Sequence, residues 1–265
     1  MLDHATKLLA VLCTAFPLLA GAAMRPGEPA LTGEQIESRQ DKMQSGYVGE
    51  TRDMTLTLVN AQGQESVRKL RFEGFEGTTR HDKTVLRFDY PADLKGTALL
   101  THEQADQDDD QWLFLPTIKR VKRIASSNKS GSFMGSEFAY EDLVVRQLDK
   151  YSFKYLGDET IDGKDCYVIE AVPRSEKSGY SRLMRWRQKS NLQEVRTDFF
   201  DRKGELLKQR ALEDLRQFDG FWRATRITVS NVQTGKKSSL VFENLKLKQH
   251  LPEQAFSVQE FNAVE

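Results

Sequence analysis

The sequence predicts a mainly β protein, an antiparallel meander of short strands in one domain. Three observations carry this reading. Short runs with apolar residues at every second position recur along most of the chain. Tight-turn dipeptides separate them, Asp162-Gly163 and Asp219-Gly220 being the strongest hairpin signals. No βαβ rhythm and no repeat longer than a hairpin interrupts the pattern.

Lys7 precedes an apolar run, Leu8–Leu19, that exits through Ala20-Gly21-Ala22. This is the pattern of an export signal (1–22) cleaved near Ala22. The run is shorter than the about 20 residues needed to span a bilayer. Cys13 leaves with the signal, so Cys166 is the one cysteine of the exported chain and no internal disulfide is expected. In "DCYVIEAV" that cysteine reads as a small buried hydrophobe. One domain is expected over 24–265.

Residues 24–30, "MRPGEPA", read as a linker. In "LTGEQIESRQDKMQS" (31–45), Thr32 and Gln35 stand at capping-box spacing. They predict a short amphipathic helix with Ile36 and Met43 on one side. "DMTLTLVN" then sets Met54, Leu56 and Leu58 against Thr55 and Thr57, and Asn60–Gly63 is turn chemistry. "VLRFDYP", "GTALLTHE" and "QWLFLP" follow as strands, with Asp108–Asp110 read as a solvated turn.

The second half repeats the pattern through "YSFKYLG", "KDCYVIEAV", "YSRLMRWRQ", "LQEVRTDFF", "ELLKQRALEDLRQF", "WRATRITVSNV" and "SSLVFENLKL". Gly204 and Gly235 mark further turns. Apart from the N-terminal helix, helices are expected over "EFAYEDLVVRQL" (137–148) and near "LPEQAFSVQEF" (251–261). Several strands, "SLVFENL" among them, are apolar on both faces while few helices remain to cover them. A long curved sheet of this kind encloses a concave space, a natural setting for an apolar ligand.

The charge balance is neutral, 39 Lys and Arg against 39 Asp and Glu, and removing 1–22 takes one of each sign. Neutrality argues against a nucleic-acid partner, which selects a clear positive excess. With 29% charged residues the chain is too polar for a helical membrane protein. It also ends in Glu265, not the aromatic expected of an outer-membrane barrel. His81, His102 and His250 show no metal-ligand spacing. "GSFMG" (131–135) places its serine second, where a nucleophile elbow needs it third. No catalytic residue, metal or cofactor is expected, and the protein is read as not an enzyme.

One stretch is unusual. Lys119, Arg120, Lys122 and Arg123 crowd between Ile118, Val121 and Ile124. Two readings stand: an edge strand whose charges discourage edge-to-edge pairing, or contact with lipid headgroups or an anionic partner surface. Trp112 and Phe114 precede it, and Phe133, Met134, Phe138 and Tyr140 follow in a Gly/Ser-rich segment. These six are candidates for lining an apolar cavity, the alternative being that they pack under the sheet.

"WLFLPTIKRVKRIASSNKSGSFMGSEFAYEDL" (112–143) resembles the signature of the periplasmic outer-membrane lipoprotein-sorting family, the LolA-like proteins. The elements that match are a strand ending in Leu-Pro, a basic strand, a Ser-rich loop, Phe-Met-Gly-Ser and Tyr-Glu-Asp-Leu. The resemblance implies an antiparallel half-open β-barrel with a few short helices covering the concave face and an apolar cavity between. It implies a periplasmic carrier or chaperone that moves a lipid, a lipidated or another apolar molecule toward the outer membrane. The alternative is an accessory docking protein of an RND-type exporter without cargo of its own. The partners implied are acyl chains, an inner-membrane RND-type exporter and an outer-membrane acceptor. The chain is longer than the best-known branch, whose lid arginine has no clear counterpart in it.

Overall fold

A chain that alternates apolar and polar residues over thirteen segments must either stack two sheets or curl one. In a computed structural model it curls one. The structure describes residues 31–78, 81–105, 107–145 and 148–263. The expected export signal and the linker lie outside them. Leu31–Glu265 forms one structural unit.

The helix α1 (Gly33–Gln44) opens it, and the expected capping box is present, with Thr32 and Gln35 bonding reciprocally. Ile36 is fully buried, but Met43 stays exposed. Six strands follow: β1 (Gly49–Val59), β2 (Glu65–Phe75), β3 (Lys83–Tyr90), β4 (Ala98–His102), β5 (Asp110–Leu115) and β6 (Arg120–Arg123). Seven more complete the sheet: β7 (Tyr151–Ile161), β8 (Lys164–Pro173), β9 (Tyr180–Gln188), β10 (Glu194–Asp201), β11 (Leu206–Phe218), β12 (Phe221–Asn231) and β13 (Lys237–Lys246). The C-terminal helix α2 spans Val258–Ala263.

All thirteen form one antiparallel sheet in the order β6-β5-β4-β3-β2-β1-β13-β12-β11-β10-β9-β8-β7. Two meanders therefore meet where β1 pairs with β13, in a register that sets Leu56 opposite Leu240. Both expected hairpin turns form with two residues at positive φ, Asp162-Gly163 and Asp219-Gly220, the geometry that matches strand twist. Open sheets rarely exceed about ten strands without curling, because each strand is rotated on its neighbour. This one curls into a half-open barrel.

The topology has a consequence for the chain between β6 and β7. These strands are the two outer edges of the sheet, so the chain between them, described over 124–145 and 148–150, must cross from one edge to the other. They cross the concave face. Phe133, on this crossing segment, packs with Leu56, Leu70 and Phe88 of the inner face. Among the described residues the helix expected over 137–148 does not form: two short 3-10 turns, Tyr140–Leu143 and Leu148–Lys150, stand there instead. Asp142 explains the difference. Its carboxylate accepts from Ala139 N, from Tyr180 and from Lys208, which ties the chain to the sheet and ends the turn. Val144 after it is extended.

Side chains alternate between two faces. On the inner face, Ile36 of α1 packs with Phe153, Ile169, Leu183 and Phe199. On the outer face, Phe256 and Phe261 cover Val85, Leu100 and Phe114. The C-terminal helix thus lies opposite the cavity. A smaller outer cluster holds Cys166, Val168, Trp186 and Val195.

The acidic run is not a solvated turn. Asp109 is buried and pairs with Lys150 at 2.8 Å, while Asp108 pairs with Lys177 at 3.2 Å. Asp110 pairs with Arg123. Two of these bonds tie the loop before β5 to residues flanking β7 and β9, because the curl brings the ends of the sheet close enough for short ion pairs.

Candidate functional site: a two-sided cavity inside the half-barrel

α1 and the crossing segment each cover part of the concave face, and a cavity of about 330 Å³ remains between them and the sheet. One wall is apolar. Met54, Phe72, Leu86, Leu240 and Phe242 come from the inner positions of β1, β2, β3 and β13, and Phe138, Leu143 and Val144 face them from the crossing segment. The period of two makes this wall: Met54 and Leu56 point inward, as Leu86 and Phe88 do on β3.

The other wall is charged. Arg185 and Arg187 of β9 occupy successive inward positions, while Met184 before them and Trp186 between them pack with the outer cluster. Glu37 of α1 takes both guanidiniums, Arg187 through Nε at 2.5 Å and a second nitrogen at 2.7 Å, Arg185 at 3.3 Å. Burial alone would push the Glu37 carboxyl up, but Arg187 and Arg185 outweigh it and hold it below its ordinary value. Beside them, Arg210 makes a two-pronged pair with Glu194 at 2.9 Å. Burial raises the Glu194 carboxyl and the Arg210, Arg187 and Arg185 charges lower it by more. Asp41 and Asp142 also border the space, the latter paired with Lys208 at 2.6 Å.

A third cluster sits where the two walls meet. Glu50 accepts from Arg52 at 2.5 Å and from Arg223 at 3.1 Å. The Arg52 guanidinium lies over the rings of Phe72 and Phe242, 4.1 and 4.4 Å from their centroids. Arg223 also donates to Gln44 and to the Trp222 carbonyl.

The six apolar residues singled out in the sequence divide between two faces. Trp112 and Phe114 belong to the outer cluster, against the C-terminal segment; Trp112 stacks edge-on against His102. Phe133, Met134, Phe138 and Tyr140 lie on the inner face, and of the six Phe138 lines the cavity. Phe133 is buried between Phe88 and Tyr140, so these residues anchor the crossing segment. Met134 and Gly135 make its tight turn at φ 51° and 77°, and Lys208, Ser238 and Asn231 hold Glu137 from three strands.

The basic stretch forms β6, the edge of the sheet. Arg120, Lys122 and Arg123 are exposed, as is Lys119 in the left-handed conformation before them. Ile118 is exposed beside them. The cavity arginines were not singled out in the sequence. Their signal was the alternation "LMRWRQ", but alternation cannot say which face is inside when both neighbours are large and apolar.

A family model described only as an uncharacterized protein matches residues 80–263. No curated protein matches the chain. Among solved structures, a domain from Vibrio parahaemolyticus named for outer membrane lipoprotein sorting is 39% identical, with a TM-score of 0.85 over 87% of this chain and 98% of that one. A DUF1329 family protein from Desulfovibrio piger is 28% identical, with a TM-score of 0.82 over 86% and 97%. A LolA superfamily protein from Nitrosomonas europaea shares the fold at 22% identity, with a TM-score of 0.71 over 86% and 98%.

Proposed function

The chain belongs to the LolA-like family of outer-membrane lipoprotein-sorting domains, and on that premise we propose that it is a periplasmic carrier for the apolar chain of a lipid or lipidated molecule. The observation that carries this reading is the cavity with an apolar wall on the concave face. Its size bears on the cargo. At about 30 Å³ for a group the size of a water molecule, 330 Å³ holds roughly ten methylene-sized groups. That suits one acyl chain better than several. Burying each methylene contributes about 0.8 kcal/mol, so one such chain reaches useful affinity even after the cost of ordering it.

Among the described residues no helix is long and apolar enough to cross a membrane, and delivery would rest on docking. The exposed cations of β6 and Lys119, with Ile118 beside them, suit an anionic surface, where each basic residue contributes about 1 kcal/mol. The same charges protect an edge strand. Exchanging Lys119, Arg120 and Lys122 for glutamate separates the two roles, because it reverses the charge while keeping the edge charged: docking requires lost binding to anionic vesicles, edge protection alone requires a protein that stays monomeric with vesicle binding unchanged.

The test of the carrier reading is direct. Protein purified from its native compartment is examined by native mass spectrometry for bound lipid, and the delipidated protein is titrated with a fluorescent fatty-acid probe. Bound lipid or saturable uptake supports the reading; neither in folded protein overturns it. An exporter accessory without cargo would take up no probe yet lose its membrane partner on the same charge exchange.

A further inference from the structure

We infer that the cavity selects amphiphiles bearing an anionic group, a carboxylate or a phosphate, which Arg52 receives at the seam between the apolar and charged walls. The inference rests on the carrier reading and names the class of cargo.

Three observations converge on Arg52. First, its charge is only half answered. Glu50 is one carboxylate shared between two guanidiniums, those of Arg52 and Arg223, so the triad holds one positive charge in excess. Second, among the described residues Arg52 Nε is a buried donor with no hydrogen-bond partner. Buried donors are nearly always satisfied, and one left unmade invites an acceptor. Third, its position is at the boundary. The guanidinium rests on Phe72 and Phe242, both of the apolar wall. A chain lying along that wall would bring its terminal polar group to the Arg52 guanidinium, which borders the cavity.

Stability does not account for the arrangement. Exchanging a buried ion pair or triad for apolar residues of like volume is often neutral or stabilising. The triad also faces a cavity instead of packed core, where a charged wall has a use. Desolvation lowers the Arg52 proton affinity and Arg223 opposes its charge, with Glu50 as the main counterweight. An anion against this guanidinium would offset both effects. Arg185, Arg187 and Arg210 share Glu37 and Glu194, which also leaves one positive charge over, but they stand on the charged wall, away from the Phe72 and Phe242 rings that flank Arg52.

Two sources share this chemistry, a free fatty acid and a lipid phosphate. The experiment uses the mature protein, delipidated, and displacement of a neutral fluorescent probe by dodecanoate, dodecyl phosphate or dodecanol at neutral pH. The three share chain length and differ in the head. At least one anionic ligand is expected to bind about tenfold tighter than dodecanol, the value of a charge-assisted hydrogen bond. The better of the two assigns carboxylate or phosphate. In Arg52→Met the ratio of anion to dodecanol affinity should fall to about one; Arg52→Gln serves if the first variant does not fold. Equal affinity for alcohol and anions in the wild type overturns this inference and leaves the carrier reading standing. A preference that survives in folded Arg52 variants overturns the role of Arg52. No displacement by any of the three overturns the carrier reading itself.

Discussion

Replacing Glu37 by glutamine tests how α1 is held over the cavity. The carboxylate is buried, as are Arg185 and Arg187, and makes three short contacts with them. Glutamine keeps the shape and one acceptor oxygen but removes the charge, leaving two buried guanidiniums with Glu194 as the remaining carboxylate close to both. Breaking one side of a buried pair costs about 3–5 kcal/mol, and the retained acceptor puts this case near 3. For a domain of this size, 3 kcal/mol is a fall in Tm of roughly 6–12 °C. Equilibrium denaturation at neutral pH measures it, with circular dichroism confirming that the fold persists.

The pH dependence has a definite sign. The folded Glu37 carboxyl lies below its ordinary value of 4.5, so its stabilisation is complete above that value and is lost as pH falls through the folded value. The gap between wild type and Glu37→Gln should therefore be constant near neutrality and shrink in acid. A loss under 1 kcal/mol, or a gap that grows in acid, would show that the ion pairs do not hold the helix.

Three further outcomes follow from packing and exposure. Phe133→Ala should cost about 3–5 kcal/mol, since Phe133 is buried against Phe88 and Tyr140, and hydrogen exchange over 131–143 should quicken with it; a loss under 1 kcal/mol would mean the crossing segment is not anchored there. Cys166 is fully buried, and burial pushes its thiol up, so a thiol reagent should react only after denaturant is added; prompt reaction of native protein would contradict the packing. Gly49→Ala would place a methyl 2.3 Å from the Gln249 carbonyl, which as backbone cannot swing away, and should destabilise by about 1–3 kcal/mol, measured by thermal melting. Gly163→Ala meets no atom within 4 Å but sits at φ 73°, so its loss comes from backbone strain alone and should be the smaller of the two.

Local rules carried much of the fold. Thr32 and Gln35 predict the start of α1 because a capping box needs only neighbouring residues. Asp162-Gly163 and Asp219-Gly220 predict their hairpins because a tight turn is decided by two residues with positive φ. The inward set of β1, Met54 and Leu56, follows from a period of two. The LolA-like signature at 112–143 was legible for the same reason: it is a contiguous run whose parts keep their order in the chain.

Long-range facts were not legible. The sequence expects a helix over 137–148, but Lys208 and Tyr180 reach Asp142 from β11 and β9 and hold the chain in short turns. Trp112 and Phe114 look like cavity residues beside the basic strand, yet their face is outer because the C-terminal segment packs there. Above all, "LMRWRQ" carries Arg185 and Arg187 at the right spacing without saying that they point inward. Alternation fixes which residues share a face; which face is enclosed is decided by the direction in which thirteen strands curl and by what covers each side. The cavity, its two unlike walls and the place of Arg52 between them therefore belong to the tertiary structure alone.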